Sequence, residues 1–386
     1  MNALSVQDGS EARDKNASAD RLKVAIIGPS GNYIGGQSVQ VELLLRHWRD
    51  DADVEATFIP VDPPFPSLLR WVNRVPFLRT LVRQPLYLLE LWRGLGQTDI
   101  AHIFSASYWS FLLAPAPALW IAHVKGKKAI IHYHSGEARD HLQRFPSARS
   151  TLAKADRLVV PSEYLLHVFQ EFNLRALAVP NIVDMSQFSY RERRPLRPHL
   201  ICTRGFHPYY AIDVVVRAFA EVQKQIPEAR LDLLGGGPTE TEIRALVRDL
   251  KLTGAHFAGV ASRSEIGHFY DQADIFINAS CLDNMPVSIL EAFACGTPVV
   301  STAAESIPYL VEDGSTGLLS KVGDAQALAA NVLRLLREPD LATKLASQAY
   351  AASHAYRWPA AREQWLGIYR SLKPQGEKTR ELTPAK

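Results

Sequence analysis

The sequence predicts an α/β protein built from two parallel, doubly wound sheets. Apolar runs of strand length alternate with helical stretches in both halves of the chain, as they do in βαβ units. A segment rich in Arg and Pro with few apolar residues, 189–198, separates the two halves and is the predicted linker. The chain has 386 residues, of which 47% are hydrophobic, so it can furnish two cores of ordinary size.

Composition and charge exclude several classes of protein. The net charge is only +3, which gives no reason to expect a nucleic-acid partner. The three cysteines lack the spacing of metal ligands, and we expect them to be reduced core residues of a cytoplasmic protein. Residues 1–20 and 373–386 are polar and contain no apolar core, so we expect a disordered leader and a disordered tail rather than a signal peptide.

The first half, 21–188, is predicted to open with a strand, a glycine turn and a helix. The apolar run Leu22–Gly28 has strand length, and apolar residues then recur at helical spacing up to Trp48. Gly35 and Gly36 stand where this helix begins, so backbone amides there could approach a phosphate or a sugar. A simple tight turn is the alternative.

A pair of histidines ends one of the later strands of this half. Further strands are predicted over 99–104, 129–133 and 157–160. The second of these ends in HYHSGE, which places His132 and His134 near the carboxyl edge of the sheet, where open α/β sheets bind ligands. His132 is predicted to be buried. His134 is the candidate for the site, and a structural role is its alternative.

The second half, 199–359, alternates strands and helices in the same way. Strands are predicted over 200–203, 231–234, 256–258, 274–277 and 299–300. Arg204 leaves the first of them, and the planar fork of an arginine suits a diphosphate, with a surface ion pair as the alternative. Gly236 lies in the glycine turn after the second, where any connection from strand to helix can use glycine.

Two acids mark the segment between the last two of these strands. Asp283 follows a strand in a polar loop, and Glu291 lies eight positions later on a short predicted helix. Roughly two helical turns separate them, so both side chains could point into one crevice on the ligand face. The alternative is that Asp283, together with Asn284, caps the helix and that Glu291 is a solvated helix residue.

This segment resembles the donor-sugar signature of family 4 of the retaining glycosyltransferases. The signature reads as an acid, seven residues, and then Glu-Ala-x-Ala-x-Gly-x-Pro-Val-Val. The resemblance implies the GT-B fold, in which two Rossmann-like domains face each other across a cleft. It implies that Asp283 and His134 lie near the donor sugar, that Glu291 holds the ribose hydroxyls and that Arg204 binds the diphosphate. It also implies donor contacts by Gly35, Gly36, Gly236, Asn284, Met285, Pro286 and Val287.

The sequence departs from the pattern of that family at three places. The first acid is usually Glu, so Asp283 is one methylene shorter. A Lys normally follows Arg204 some five residues on, where this chain has Tyr209 and Tyr210, so either His207 or another cation compensates or the diphosphate is held less tightly. The segment 305–309 lacks the usual glycine pair, and it has Tyr309 where a Glu usually follows Pro308.

The resemblance implies a retaining transferase that moves a sugar from a nucleotide diphosphate sugar to an acceptor hydroxyl. Residues 21–188, completed by a helix over 360–372, would bind the acceptor, and residues 199–359 would bind the donor. No cofactor and no divalent metal are expected, because Arg204 and backbone amides would stabilise the departing diphosphate. A nucleotide-sugar epimerase and a non-catalytic glycosyltransferase-like partner are the alternatives.

The segment 65–95 suggests where the acceptor comes from. Arg70 and Arg74 are four positions apart, as are Arg79 and Arg83, so each pair would share one helical face among apolar residues. Helices of this kind can lie on an anionic membrane surface. We therefore expect a peripheral protein on the cytoplasmic face of the inner membrane that acts on a lipid-linked or glycan acceptor. An ordinary domain surface is the alternative.

Prolines are predicted to interrupt both the basic segment 65–95 and the apolar segment that follows it. Pro76 and Pro85 are predicted to divide the basic stretch into short helices. The next segment, 100–124, has no Asp, Glu, Lys or Arg, and on length alone it could span a bilayer. Pro115 and Pro117 interrupt it, so a strand followed by a buried helix is predicted instead.

Overall fold

The structure is a computed structural model, and it describes residues 21–31 and 36–373. Two six-stranded sheets form its frame. Their strands are β1 (Leu22–Gly28), β2 (Val54–Pro60), β3 (Ile100–Ser105), β4 (Lys128–Tyr133), β5 (Arg157–Val160), β6 (Leu177–Ala178), β7 (His199–Cys202), β8 (Arg230–Leu234), β9 (Ala255–Gly259), β10 (Ile275–Asn278), β11 (Val299–Thr302) and β12 (Leu318–Ser320).

The strands of each sheet run parallel. The first sheet has the order β2-β1-β3-β4-β5-β6, and the second has the order β12-β11-β10-β7-β8-β9. In both sheets the strand order reverses beside an inner strand, as in Rossmann-like domains. Because parallel strands end at the same edge, β7, β8 and β10 bring the residues that follow them to one side of the second sheet.

Helices connect the strands. They are α1 (Gly36–Trp48), α2 (Pro76–Gly94), α3 (Tyr108–Leu113), α4 (Pro115–Val124), α5 (Ala138–Arg144), α6 (Pro146–Leu152), α7 (Glu163–Glu171), α8 (Ile212–Gln225), α9 (Glu240–Asp249), α10 (Arg263–Gln272), α11 (Val287–Ala294), α12 (Ile307–Leu310), α13 (Ala325–Arg337), α14 (Pro339–Ser353) and α15 (Trp358–Leu372). A 3-10 helix, Ser67–Arg74, precedes α2.

The described chain divides into two compact units. The first takes the residues up to Tyr133, then Ser150–Leu158 and the residues from Arg362 onward, and the second takes His134–Arg149 and Val159–Ala361. Residues 189–198 lie in the second unit. Two arginines hold this segment in place: Arg193 donates to the carbonyl oxygen of Cys295 at 2.6 Å, and Arg197 pairs with the buried Asp274 at 2.8 Å.

Buried side chains alternate between the two faces of the second sheet. Ile275 and Ile277 of β10 pack with residues of α8 and α13, whereas Phe276 between them packs with residues of α11. Helices therefore cover both faces, which is the doubly wound arrangement predicted from the sequence. This packing fixes α11, with Glu291 on it, beside β10.

The last residues of α15 complete the core of the first unit. The Tyr369 hydroxyl lies 2.8 Å from Nδ1 of His102 on β3, and Nε2 of His102 lies 3.2 Å from Nδ1 of His132 on β4. The ring of Trp365 packs on His102, with the ring centroids 4.4 Å apart. His132 is therefore buried, as predicted. Strand parity does not set it apart from His134, because residues two positions apart share a face; His132 lies inside β4, whereas His134 follows its end.

Some interpretations of individual residues were wrong. Pro85 lies inside α2 and does not divide it, since one proline removes only one helical hydrogen bond. Cys281 is exposed in a loop and is not a core residue.

The apolar segment 100–124 forms β3, α3 and α4. The helix α4 buries Leu119 and Ile121, as predicted, but leaves Trp120 65% exposed. Over residues 21–31 and 36–373, no helix combines the length and the apolar character needed to cross a membrane.

Candidate active site

Asp283 lies in the loop that joins β10 to α11. The helix begins after Pro286, which caps it without a side-chain hydrogen bond, so Asp283 is not the helix cap. Two serines hold the loop: the Ser306 hydroxyl donates to the Asp283 carbonyl oxygen at 2.9 Å, and the Ser280 hydroxyl donates to the Asp283 carboxylate at 3.3 Å. The loop therefore holds the Asp283 carboxylate close to the residues that follow β7, the strand that pairs with β10.

The residue that follows the neighbouring strand is Arg204. Its guanidinium forms an ion pair with the Asp283 carboxylate and donates to the Ser288 hydroxyl at 3.1 Å. Both charged side chains are 9% exposed, so this is a buried pair and not a surface one. Burial raises the pKa of Asp283 above its usual range, against the opposing charge of Arg204. The Nε of Arg204 is buried and has no acceptor in the described chain, which leaves a cationic donor for a ligand.

An aromatic ring holds the guanidinium from the other side. The Arg204 guanidinium carbon lies 3.9 Å from the centroid of the Tyr210 ring, a cation–π contact. Tyr209 and Tyr210 stand where the resemblance noted from the sequence leads one to expect a Lys. His207 stacks on the ring of Tyr209 instead, with the centroids 5.2 Å apart. The Tyr210 ring thus orients Arg204, and neither tyrosine supplies a second cation.

The glycine turn after β8 packs against the turn that carries Arg204. A Cβ atom on Gly235 would lie 2.3 Å from the carbonyl oxygen of Arg204, and one on Gly237 would lie 2.5 Å from that of Phe206. Between them, the Gly236 carbonyl oxygen accepts from the Phe206 amide at 2.9 Å. Only glycine permits this close approach of the two backbones.

Glu291 is half-buried on α11 and is held by a tyrosine. The Tyr270 hydroxyl lies 3.0 Å from Oε2 of Glu291, 2.9 Å from the Ser288 carbonyl oxygen and 2.8 Å from the Thr203 hydroxyl. Ser288 also takes a hydrogen bond from Arg204, so the two acids lie at the ends of one connected polar network. Glu291 is therefore not a freely solvated helix residue.

His134 lies next to the acidic loop through Asn284. The Asn284 side chain donates to the His134 carbonyl oxygen at 3.2 Å and accepts from the Ser162 hydroxyl at 2.8 Å. Burial lowers the pKa of the His134 ring to about 3. The imidazole is therefore neutral at physiological pH, where it can donate or accept a hydrogen bond but carries no charge.

The remaining predicted donor residues take different places. Met285 continues the loop, and its carbonyl oxygen accepts from the Asn181 side chain at 3.3 Å. Pro286 and Val287 lead into α11. Gly36 is the exposed first residue of α1 in the first unit, and Gly35 lies outside the described residues.

Two family models match the chain in succession. Residues 34–187 match the model described as Glycosyltransferase Family 4, and residues 192–352 match that of Glycosyl transferases group 1. The chain belongs to these glycosyltransferases. The second match contains the network of Arg204, Asp283 and Glu291, and the first contains His134.

Curated relatives of this glycosyltransferase are found at moderate identity. The putative colanic acid biosynthesis glycosyltransferase WcaL of Salmonella typhimurium is 27% identical over 266 residues, which are 65% of this chain and 66% of that protein. The GDP-mannose-dependent alpha-(1-6)-phosphatidylinositol monomannoside mannosyltransferase of Mycolicibacterium smegmatis is 26% identical over 312 residues, which are 74% of this chain and 78% of that protein. The matched region spans less than two thirds of the length of several of these relatives: 66%, 60%, 52% and 62% in four of them.

Solved structures share the fold. The crystal structure of HepE from Anabaena in complex with UDP and glucose has a TM-score of 0.71 and 16% identity, and it covers 91% of this chain and 100% of that one. This likeness supports two Rossmann-like domains in the glycosyltransferase, as the sequence predicted.

Sequence reasoning missed several residues of the polar network. Tyr270, Ser280 and Ser288 carry no signal in the sequence, because each belongs to an ordinary helix or loop and acts through its contacts. In the sequence, Tyr210 drew attention only as one of two tyrosines that stand where a Lys is expected. Its place in the short connection that follows Arg204 was the available signal, since aromatic rings commonly stack on arginine.

Proposed function

We propose that this chain is a retaining glycosyltransferase that transfers a sugar from a nucleotide diphosphate sugar to an acceptor hydroxyl. The observation that carries the proposal is Arg204, a buried guanidinium with an unsatisfied Nε at the carboxyl edge of the second sheet. A buried cationic donor at that edge suits a diphosphate. The family membership and the acid pair around it support the same reaction.

In the proposed reaction, the bond between the anomeric carbon and the diphosphate oxygen breaks, and its electron pair stays with the diphosphate. Arg204 and the backbone amides of the turn at Gly236 stabilise the charge that develops there. The acceptor oxygen then bonds to the anomeric carbon on the same face and gives up its proton to the departing diphosphate oxygen. Asp283 and the neutral His134 position the donor sugar, and Glu291 holds the ribose hydroxyls.

The epimerase alternative is not favoured, because both curated relatives named above are transferases. A non-catalytic partner protein would not be expected to keep a buried arginine with an unsatisfied donor, which costs stability without a ligand. Turnover of the nucleotide sugar without an acceptor would separate an epimerase from a transferase.

Nucleotide binding is the direct test of the proposal. We expect one of UDP, GDP and ADP to raise the melting temperature, because a ligand that binds only the folded state stabilises it by about 2.7 kcal/mol at 100 times Kd. Differential scanning fluorimetry of the full chain over a concentration series of each nucleotide measures this. The shift should shrink in an Arg204→Met variant. Equal melting temperatures with and without all three nucleotides would contradict donor binding.

We also propose that transfer needs no divalent metal, because Arg204 takes the role of a cation at the diphosphate. Transfer measured by product formation should therefore continue at an unchanged rate in excess EDTA. A matched reaction with added magnesium is the control. Loss of activity in EDTA that magnesium restores would overturn this part of the proposal.

For the acceptor, we propose a lipid-linked saccharide reached from a membrane surface. The 3-10 helix packs on α2, and α3 and α2 both pack on α4. These elements expose large apolar side chains: Leu68, Trp71, Phe77, Leu81, Trp92, Trp109 and Trp120. Arg70 and Arg74 are exposed on the same 3-10 helix. Exposed aromatic residues beside basic ones are typical of surfaces that rest on anionic bilayers.

Flotation with liposomes tests this surface. The full chain should float with vesicles that contain an anionic lipid at low salt and should be released at high salt, since surface attraction is screened. An Arg70→Glu/Arg74→Glu variant should remain in the lower fraction. Its control is Arg217→Glu/Arg248→Glu, which makes the same change of charge in the second unit. Absence of the unaltered chain from the floating fraction at low salt would contradict the membrane proposal.

A further inference from the structure

A cavity in the first unit lies at the carboxyl edge of its sheet. Pro29 after β1, Val61 after β2 and Ala106 after β3 all line it, and its volume is about 420 Å³. The chain runs from β1 to β2 on one side and then crosses to β3 on the other, so the strand order reverses at β1. Open α/β sheets bind ligands at such a reversal.

Two arginines and an amide line this cavity, and two of these three side chains carry an unsatisfied donor. Arg79 and Arg83 are one turn apart on α2 and both line it, as does Gln37 of α1. The Nε of Arg83 and the Nε2 of Gln37 are buried and have no acceptor in the described chain. Buried polar atoms of this kind normally have a partner, so a ligand that accepts hydrogen bonds is expected here.

The position of Arg83 is fixed by its neighbours. Its Nη2 donates to Oδ1 of Asn73 at 3.0 Å, and its guanidinium carbon lies 5.0 Å from the centroid of the Phe65 ring. These contacts occupy one edge and one face of the guanidinium. The Nε edge has no acceptor among the described residues, so the guanidinium is held in place with one donor still unsatisfied before any ligand binds.

The cavity is electropositive. None of the described residues that line it is Asp or Glu. The neighbouring acid, Asp62, accepts from the Ser30 amide at 2.8 Å and from the Ser30 hydroxyl at 2.5 Å, so both of its carboxylate oxygens are engaged. Two arginine charges therefore face the cavity without a compensating carboxylate among the lining residues.

Exposed apolar side chains lie on α2 and α3, two of the helices that line the cavity. Helix α3 contributes Leu113 to the lining and leaves Trp109 75% exposed, and α2 carries Phe77 and Leu81, which are 92% and 72% exposed. The Gln84 side chain donates to the Leu113 carbonyl oxygen at 2.6 Å and so joins the helices. An anion bound by Arg79 and Arg83 would therefore lie close to exposed apolar side chains of α2 and α3.

We propose that this cavity binds the phosphoryl group of a lipid-linked acceptor. Arg79, Arg83 and the Gln37 amide hold the phosphate oxygens, because three separate donors suit a tetrahedral group with several oxygens better than a planar carboxylate. The lipid chain then lies along the exposed apolar residues of α2 and α3. This inference rests on the proposed function and names the chemistry of its acceptor.

Calorimetric titration of the full chain tests the inference, with farnesyl phosphate, inorganic phosphate, farnesol and glucuronate as probes. We expect farnesyl phosphate to bind most tightly, inorganic phosphate to compete with it weakly, and farnesol and glucuronate not to bind. An Arg79→Gln/Arg83→Gln variant should bind farnesyl phosphate about 100-fold more weakly, since two charge-assisted bonds are lost. The matched control, Arg217→Gln/Arg248→Gln, changes the net charge equally at exposed residues of the second unit and should bind as the unaltered chain does.

The outcomes separate this inference from the proposed function. The nucleotide that stabilises the unaltered chain should stabilise both variants equally, which also shows that they are folded. Nucleotide binding without farnesyl phosphate binding, equal losses in the two variants, or tighter binding of glucuronate would overturn the inference alone. Absence of nucleotide binding would instead overturn the proposed function. Equal affinity for inorganic and farnesyl phosphate would show a free phosphate site and would overturn the assignment to a lipid.

Discussion

An Arg204→Met variant should transfer sugar about 10²–10³-fold more slowly than the unaltered chain, because loss of one preorganised donor to a developing oxyanion costs about that factor. Arg204 is suited to this role by its buried Nε and by the Tyr210 ring and Ser288 hydroxyl that orient it. Methionine keeps the apolar length of the side chain against the ring and removes the charge. The loss should appear in kcat, measured with saturating donor.

Folding must be separated from catalysis in this experiment. Removal of Arg204 alone leaves the Asp283 carboxylate buried without its partner, which typically costs about 3–5 kcal/mol of folding free energy. An Arg204→Met/Asp283→Asn variant carries no unpaired charge, so it should regain much of that stability while transfer stays slow. Denaturant unfolding of both variants, alongside initial rates, distinguishes the two effects.

The stability of the single variant should also depend on pH in a particular direction. Burial already raises the pKa of Asp283, and loss of Arg204 removes the charge that opposes this. A raised folded-state pKa means that the deficit is fully present above it and shrinks as the pH falls through it. The double variant should show no such recovery. A single variant that transfers sugar at the rate of the unaltered chain would refute the role of Arg204.

The parallel frame explains why much of the candidate site could be predicted. Apolar runs such as Leu22–Gly28 and Ile275–Ile277 are buried on both faces, so they read as strands without ambiguity. The carboxyl ends of neighbouring parallel strands meet at one edge. A residue just beyond the end of β7 and a residue in the loop after β10 are therefore expected to lie close together. Arg204 and Asp283 are such residues, and they form an ion pair.

Other features could not be predicted because they depend on partners distant in the sequence. The strand β2, VEATFIP, lies at the edge of its sheet and exposes Phe58, so it lacks the apolar run of a central strand. β6 has only two residues, too few for any periodicity. The role of Tyr270 follows from its contacts with Thr203 and Glu291, which lie on different elements. Spacing along one element carries no information about such contacts.

A Glu291→Gln variant should chiefly weaken donor binding, and Asp283→Asn should chiefly lower the rate. A ribose contact is made in the ground state and in the transition state alike, so its loss raises KM for the donor and leaves kcat nearly unchanged. Glutamine keeps an acceptor oxygen but loses the charge, a difference of about 1.4 kcal/mol between charged and neutral hydrogen bonds, or about tenfold in KM. Initial rates over a donor series measure both parameters.

Tyr270→Phe is the matched control for Glu291, because it removes the hydroxyl that lies 3.0 Å from the Glu291 carboxylate and leaves the acid in place. If Tyr270 acts by positioning Glu291, this variant should raise KM in the same direction and by less, with kcat unchanged. The double variant should then be no worse than Glu291→Gln alone, since both changes act on one contact. Equal losses of kcat and of donor affinity in both the Glu291→Gln and the Asp283→Asn variants would contradict the division of roles between the two acids.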